Sequence, residues 1–180
     1  DIISRCDDSV MRLIGGKGSM LRRSRGYAPY PIELHSNLGE SLSCGGELKN
    51  TFCLTKGNKA IMSQHIGDLR TLSAYNYYKD SIAHFERIFS IEPDAIAHDL
   101  HPDYLSTRYA LSRGGRLVGI QHHQAHIASC MAENGVLGET IGVALDGAGY
   151  GTDGKVWGCE FLLVRPSESK RLGHLRYVPL

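Results

Sequence analysis

The sequence has 180 residues, 42% apolar and 22% charged, with a net charge of +1 at pH 7. That length suits one domain or one and a half, and the near-neutral balance offers no bulk attraction to nucleic acid. No apolar run approaches the roughly 18 residues of a membrane span, and no charged-then-apolar start resembles a secretory signal. The five cysteines (Cys6, Cys44, Cys53, Cys130, Cys159) are odd in number and lack CxxC spacing. They point to a reducing, cytoplasmic setting rather than a disulfide framework or a thiolate zinc site. The sequence opens on Asp1 and stops at Leu180 without a terminal helix, so it reads as a piece of something longer.

In chain order, residues 7–14 alternate like a strand, Gly15-Gly16-Lys17-Gly18 is a hairpin-type turn, and residues 19–23 return. Arg22-Arg23-Ser24-Arg25 reads either as a protected edge strand or as an anion site. Pro29 and Pro31 favour extended backbone, which places a linker there and a domain boundary at residue 34. Residues 42–54 read as strand, tight turn at Gly45-Gly46, strand. A third strand over 59–67 is reached through Gly57-Asn58. Such a glycine turn is either a plain hairpin or a phosphate-binding nest of N–H groups.

Residues 72–90 have helical spacing, with Leu72, Tyr75, Tyr78, Ile82, Phe85 and Phe89 on one face and Pro93 as the stop. Ala95–Asp99 is a short strand, and Pro102-Asp103 suits a helix start. His98, Asp99 and His101 are either ordinary polar residues of that joint or the lining of a site. Residues 117–120 form a strand that delivers Gln121-His122-His123-Gln124-Ala125-His126 to a helix. The next strand, 141–146, ends at Asp146 in a glycine-rich turn through Gly147, Gly149 and Gly151. A strand follows over 155–164, and another is expected over 174–178. The order from residue 91 is an α/β layout with a partly parallel sheet, whose strand carboxyl ends host ligands.

His122 and His126 stand one turn apart on the same helix face and can share a metal ion. Asp146 offers either a further ligand or a contact to phosphate through water or a cation. His123 points elsewhere and suits a supporting or substrate-facing role. The glycines after Asp146 allow close backbone approach to an anion, or a strained turn between strands.

Gly46-Glu47-Leu48-Lys49-Asn50-Thr51-Phe52-Cys53, Ser63-Gln64-His65-Ile66-Gly67-Asp68, Asp99-Leu100-His101-Pro102-Asp103-Tyr104, Gln121-His122-His123-Gln124-Ala125-His126 and Leu145-Asp146-Gly147-Ala148-Gly149-Tyr150-Gly151 together resemble the HypF carbamoyltransferases of nickel–iron hydrogenase maturation. Residues 22–29 resemble the end of that family's YrdC-like domain. The resemblance implies an actin/sugar-kinase-like (Kae1-like) α/β half-domain with a mixed sheet over 35–180, preceded by a short β segment over 1–34.

It implies an enzyme that uses ATP and carbamoyl phosphate to make carbamoyl-adenylate. The carbamoyl group then passes to the C-terminal cysteine of the partner HypE, toward the cyanide ligands of the active-site iron. It implies a divalent metal, zinc or iron, on His122, His126 and Asp146, with magnesium accompanying the nucleotide. Nucleotide contacts map onto Gly45, Gly46, Lys49, Asn50, Asp146, Gly147, Gly149 and Gly151, and catalytic roles onto Lys49, His123 and Asp146. A later acidic ligand of the family has no counterpart before Leu180. The alternatives are a tRNA threonylcarbamoyl transferase, which the loop at 46–50 and the absence of a basic stripe disfavour, and a non-enzymatic metal-binding fragment.

Overall fold

The computed structural model describes residues 4–165 and 168–176. They fall into two compact units, Asp1–His98 with Asp103–Val118, and Asp99–Pro102 with Gly119–Leu180. In the first, Gly15 and Gly16, at φ of 57° and 78°, fold β1 (Val10–Ile14) back on β2 (Lys17–Arg22). Hairpin twist favours positive φ at both turn positions, which glycine adopts cheaply. The turn is tighter than expected, because Lys17 and Gly18 already pair with Ile14 and Leu13. The following arginines hold this segment together. Arg23 donates to the carbonyls of Tyr27 and Tyr30, both at 3.0 Å, and Arg25 donates to that of Cys6 at 3.0 Å.

The main sheet of this unit is mixed, in the order β3 (Ile32–Glu33), β6 (Lys59–Met62), β5 (Cys53–Lys56), β4 (Ser41–Ser43), β7 (Ala95–Asp99), β8 (Arg116–Ile120). The prolines at 29 and 31 therefore lead into β3, which pairs with β6. Strand β4 runs antiparallel to β5 and parallel to β7. Between β4 and β5 lies a nine-residue loop, 44–52, rather than a tight turn. Gly45 has φ 71°, and a Cβ there would sit 2.1 Å from the Thr51 carbonyl oxygen. Asn50 staples the loop, donating through Nδ2 to the carbonyls of Cys44 (2.9 Å) and Gly46 (2.7 Å).

Helix α1 (Leu72–Phe89) starts where Thr71 Oγ1 accepts from Ala74 N and ends at Ser90, in the left-handed region. That is three residues before Pro93, the expected stop. Lys56 Nζ donates to the Phe89 and Ser90 carbonyls, placing a cation on the negative helix end. The helix buries Tyr78, Ile82 and Phe85 against Leu42, Phe52 and Leu54, while Leu72 stays exposed. Helix α2 (Leu105–Arg113) begins later than Pro102 suggests. Buried Glu47 accepts from Leu105 N at 2.8 Å and fixes its start.

The second unit contains α3 (His122–Glu133) and an antiparallel sheet in the order β11 (Glu168–His174), β10 (Val156–Arg165), β9 (Thr140–Tyr150). This corrects two expectations. Strand β9 does not extend the first unit's sheet, and it does not end at Asp146. It runs on to Tyr150 and pairs with β10 on both sides of an irregularity at 146–148. Strand β11 lies earlier than the stretch expected at 174–178, whose residues from 177 lie outside those described. Ile127 of α3 packs with Ala144, Trp157, Leu162 and Val164 as the core. The opposite side of β9 leaves Ile141, Val143 and Leu145 exposed, with Phe161 beside Val143 on β10. Among the described residues no helix is long and apolar enough to cross a membrane.

Phe52→Ala should cost about 3–5 kcal/mol, because Phe52 is fully buried between the Tyr78 and Phe85 rings; urea unfolding would measure it. All five cysteines are free, and burial pushes the Cys44 and Cys53 thiols up to about 11. Thiolate is the reactive form. Iodoacetamide at neutral pH should therefore label exposed Cys130 and leave Cys44 and Cys53 untouched until the fold is opened, as read by peptide mass spectrometry.

Candidate metal centre

Gln121 ends the extended approach to α3 and caps it, its side-chain oxygen accepting from Gln124 N at 3.0 Å. His122 and His126 follow in the first turns, on one face. Strand period places Gly142, Ala144 and Asp146 on the side of β9 that meets α3. At Gly142 a Cβ would lie 2.3 Å from Ile127 Cδ1, so the missing side chain lets helix and strand close up.

The pairing then shifts: Leu145 faces Cys159 and Gly149 faces Trp157, so residues 146–148 of β9 stand against the single Gly158. Such a bulge re-aims side chains, and Asp146 is its first residue. The expected glycine-rich turn is this bulged strand. None of Gly147, Gly149 and Gly151 has positive φ. A Cβ at Gly149 would lie 2.6 Å from His123 Cε1 and 2.9 Å from His122 Cβ, and one at Gly151 would lie 2.1 Å from the Trp157 indole nitrogen. A Cβ at Gly147 would meet nothing, so that stretch is open to a ligand.

Three atoms converge. His122 Nε2 lies 3.1 Å from Asp146 Oδ2, His126 Nε2 lies 3.5 Å from it, and the two ring nitrogens are 3.2 Å apart. Ligands at about 2.0–2.1 Å from one tetrahedral ion stand about 3.3 Å from each other. The triad therefore has the edge lengths of three vertices of such a site. Behind it, His122 Nδ1 is 2.6 Å from Asp99 Oδ2. Asp99 thereby holds the proton on Nδ1 and leaves Nε2 free to ligate.

The Asp99 hydrogen bond, helped by the Asp146 charge and opposed by burial, raises the His122 pKa above the ordinary histidine value. His123 is fully buried, which lowers its pKa, with the Asp146 charge opposing. Its Nε2 has no hydrogen-bond partner among the described residues. Beyond His123 lies Trp157, whose indole carries the Arg171 guanidinium at 4.0 Å; Arg171 in turn grips buried Glu160 through two bonds of 2.6 and 2.9 Å.

Of the residues read from sequence, His122, His123, His126, Asp146 and the later glycines meet in the second unit. Gly45, Gly46, Lys49 and Asn50 share the first unit's loop. There Lys49 is exposed, and with Arg22 it acts on His65, whose pKa is lowered by burial first and by these cations second. Asp99, one of three undecided candidates at the joint, proves to be the partner of His122. His101 lies against Tyr150, with ring centres 5.4 Å apart and planes tilted by 59°. Sequence reading missed Glu47 as the cap of α2 and the Glu160–Arg171 pair, since neither pairing has a local spacing signal.

Residues 36–133 match the HypF Kae1-like domain, and residues 142–180 match the second subdomain of the carbamoyltransferase Kae1-like domain. The chain belongs to the HypF family. Carbamoyltransferase HypF2 of Cupriavidus necator is 46% identical over 187 residues, covering 100% of this chain and 23% of that protein. The HypF of Synechocystis is 44% identical over 97% of this chain and 23% of its own length. A full-length HypF in phosphate- and nucleotide-bound form superposes with a TM-score of 0.94 at 48% identity, over 98% of this chain and 24% of that one. The HypF of T. kodakarensis gives 0.87 at 42% identity, over 96% and 23%. The chain thus spans about a quarter of the length of the HypF proteins it matches.

A metal at this triad would compete with protons for His122 Nε2. With its pKa raised, the charged His122–Asp99 pair stabilises the metal-free fold at low pH and is lost as pH rises through the raised value. Metal binding there would have the opposite dependence. Zinc affinity measured by chelator competition should fall as pH drops through that value, starting above about 6.5. Asp99→Asn should shift the fall to lower pH and weaken neutral-pH affinity about ten- to a hundredfold.

Proposed function

We propose that this chain carries the metal-binding part of a HypF carbamoyltransferase, which uses ATP and carbamoyl phosphate through carbamoyl-adenylate and delivers the carbamoyl group to the C-terminal cysteine of HypE. The carrying observation is the convergence of His122 Nε2, His126 Nε2 and Asp146 Oδ2 with Asp99 behind them. That donor set would suit zinc or iron. A divalent metal bound there would polarise a carbonyl or phosphoryl oxygen.

The chain's own residues have separate tasks in this reading. Asp99 keeps the proton on His122 Nδ1. The bulge at 146–148 presents open backbone at Gly147 to an anionic group. Exposed Lys49, on the loop shaped by Gly45, Gly46 and Asn50, offers an ammonium to phosphate, with magnesium accompanying the nucleotide. In the transfer, the partner's thiolate forms a sulfur–carbon bond to the carbamoyl carbon. The carbon–oxygen bond to the adenylate phosphate breaks, and AMP leaves with that electron pair. The thiol proton goes to solvent before attack. The nucleophile in this reading comes from the partner.

The experiment uses the intact protein with radiolabelled carbamoyl phosphate, ATP and HypE. His122→Ala with His126→Ala should lose the bound metal and abolish label transfer to HypE. Unchanged metal content in that double variant would sink the assignment.

A further inference from the structure

We infer that Gln121 is the positioning residue of the metal centre, its single amide setting where Asp146 meets the two histidines. This rests on the metal reading of the triad. The amide has three partners, all within the second unit. Its oxygen caps α3 through Gln124 N at 3.0 Å. Its nitrogen lies 3.0 Å from His123 Nδ1 and donates to the Tyr150 carbonyl at 3.3 Å.

The cap decides the orientation, because the atom facing a backbone N–H must be the oxygen. The other end is therefore NH2, and it must donate to His123 Nδ1. That makes Nδ1 an acceptor and places the neutral ring's proton on Nε2. His123 is fully buried, so it touches no solvent-borne substrate in this state. Its ring instead forms the floor on which Gly149 rests, where even a Cβ would come within 2.6 Å. Gly149 and Tyr150 follow directly on the bulge that begins at Asp146. One side chain thus joins the start of the histidine helix, the buried imidazole and the far end of the carboxylate's strand. If that clasp opens, β9 can slide relative to α3, and Asp146 Oδ2 leaves its 3.1 Å and 3.5 Å distances from the two ring nitrogens.

The test uses Gln121→Glu in the intact protein. Glutamate keeps an acceptor for Gln124 N–H but replaces the donor. It turns a carboxylate toward the Tyr150 carbonyl and moves the His123 proton to Nδ1. Long-range proton–nitrogen NMR of the metal-free wild type should show His123 protonated on Nε2, and the variant should show Nδ1. With Co2+ as the probe, the variant should bind about ten- to a hundredfold more weakly, with a changed visible band. Wild type that binds no Co2+ removes the metal reading and this inference with it. Wild type that binds, beside a variant of unchanged affinity and spectrum, removes the inference alone. If the variant does not fold, the wild-type tautomer still decides: a proton on His123 Nδ1 overturns the clasp.

Discussion

Helix α3 lies on β9 at a separation that tolerates no Cβ at two points. Ile127 sits on Gly142, and the His122–His123 pair sits on Gly149. These contacts bracket Asp146 in sequence, so the strand is pinned on either side of the carboxylate. Close packing transmits small volume changes rather than absorbing them. The geometry of three polar groups thus depends also on two places where side chains are missing. Strand period turns Asp146 toward the histidines, and the bulge between the pins begins there.

Asp99 completes the arrangement from a different element. It stands at the carboxyl end of β7, 23 residues before its partner His122. Parallel α/β order puts successive strand ends side by side, and β7 neighbours β8 in the sheet. The acid at one strand end and the imidazole just after the next become neighbours through topology rather than sequence proximity. The carboxylate then selects the ring tautomer, and the tautomer decides whether the facing nitrogen can bind a cation at all.

Much of the fold was legible because its signals are local. The aromatic spacing of α1, the run at Ala95–Asp99 and the passage into α3 all follow from period and capping. The misses share one cause, dependence on a distant partner. Pro102 is a sound helix-start signal, yet Glu47, 58 residues before Leu105, sets the start of α2. Pro93 is a sound stop, yet Ser90 and Lys56 end α1 earlier. The run from Asp146 to Gly151 was the most instructive error. Sequence cannot distinguish a glycine needed for positive φ from one needed for a missing side chain. At Gly149 and Gly151 the second requirement holds, while Gly147 is open, and a stretch read as turn is strand. The histidine pair and the acid were readable as one site because their residue types restrict the chemistry. The residues behind them, Gln121 and Asp99, are polar types that also serve ordinary caps and joints.

The period that turns Asp146 inward turns Ile141, Val143 and Leu145 outward, where Phe161 of the next strand extends the strip. Such a surface is adhesive in water. Ile141, Val143 and Leu145 also line one hollow with His126 and Asp146, so the adhesive strip borders the polar cluster. Solubilising changes belong at 141, 143 and 145, whose neighbours on the other side of the same strand leave far less freedom to alter.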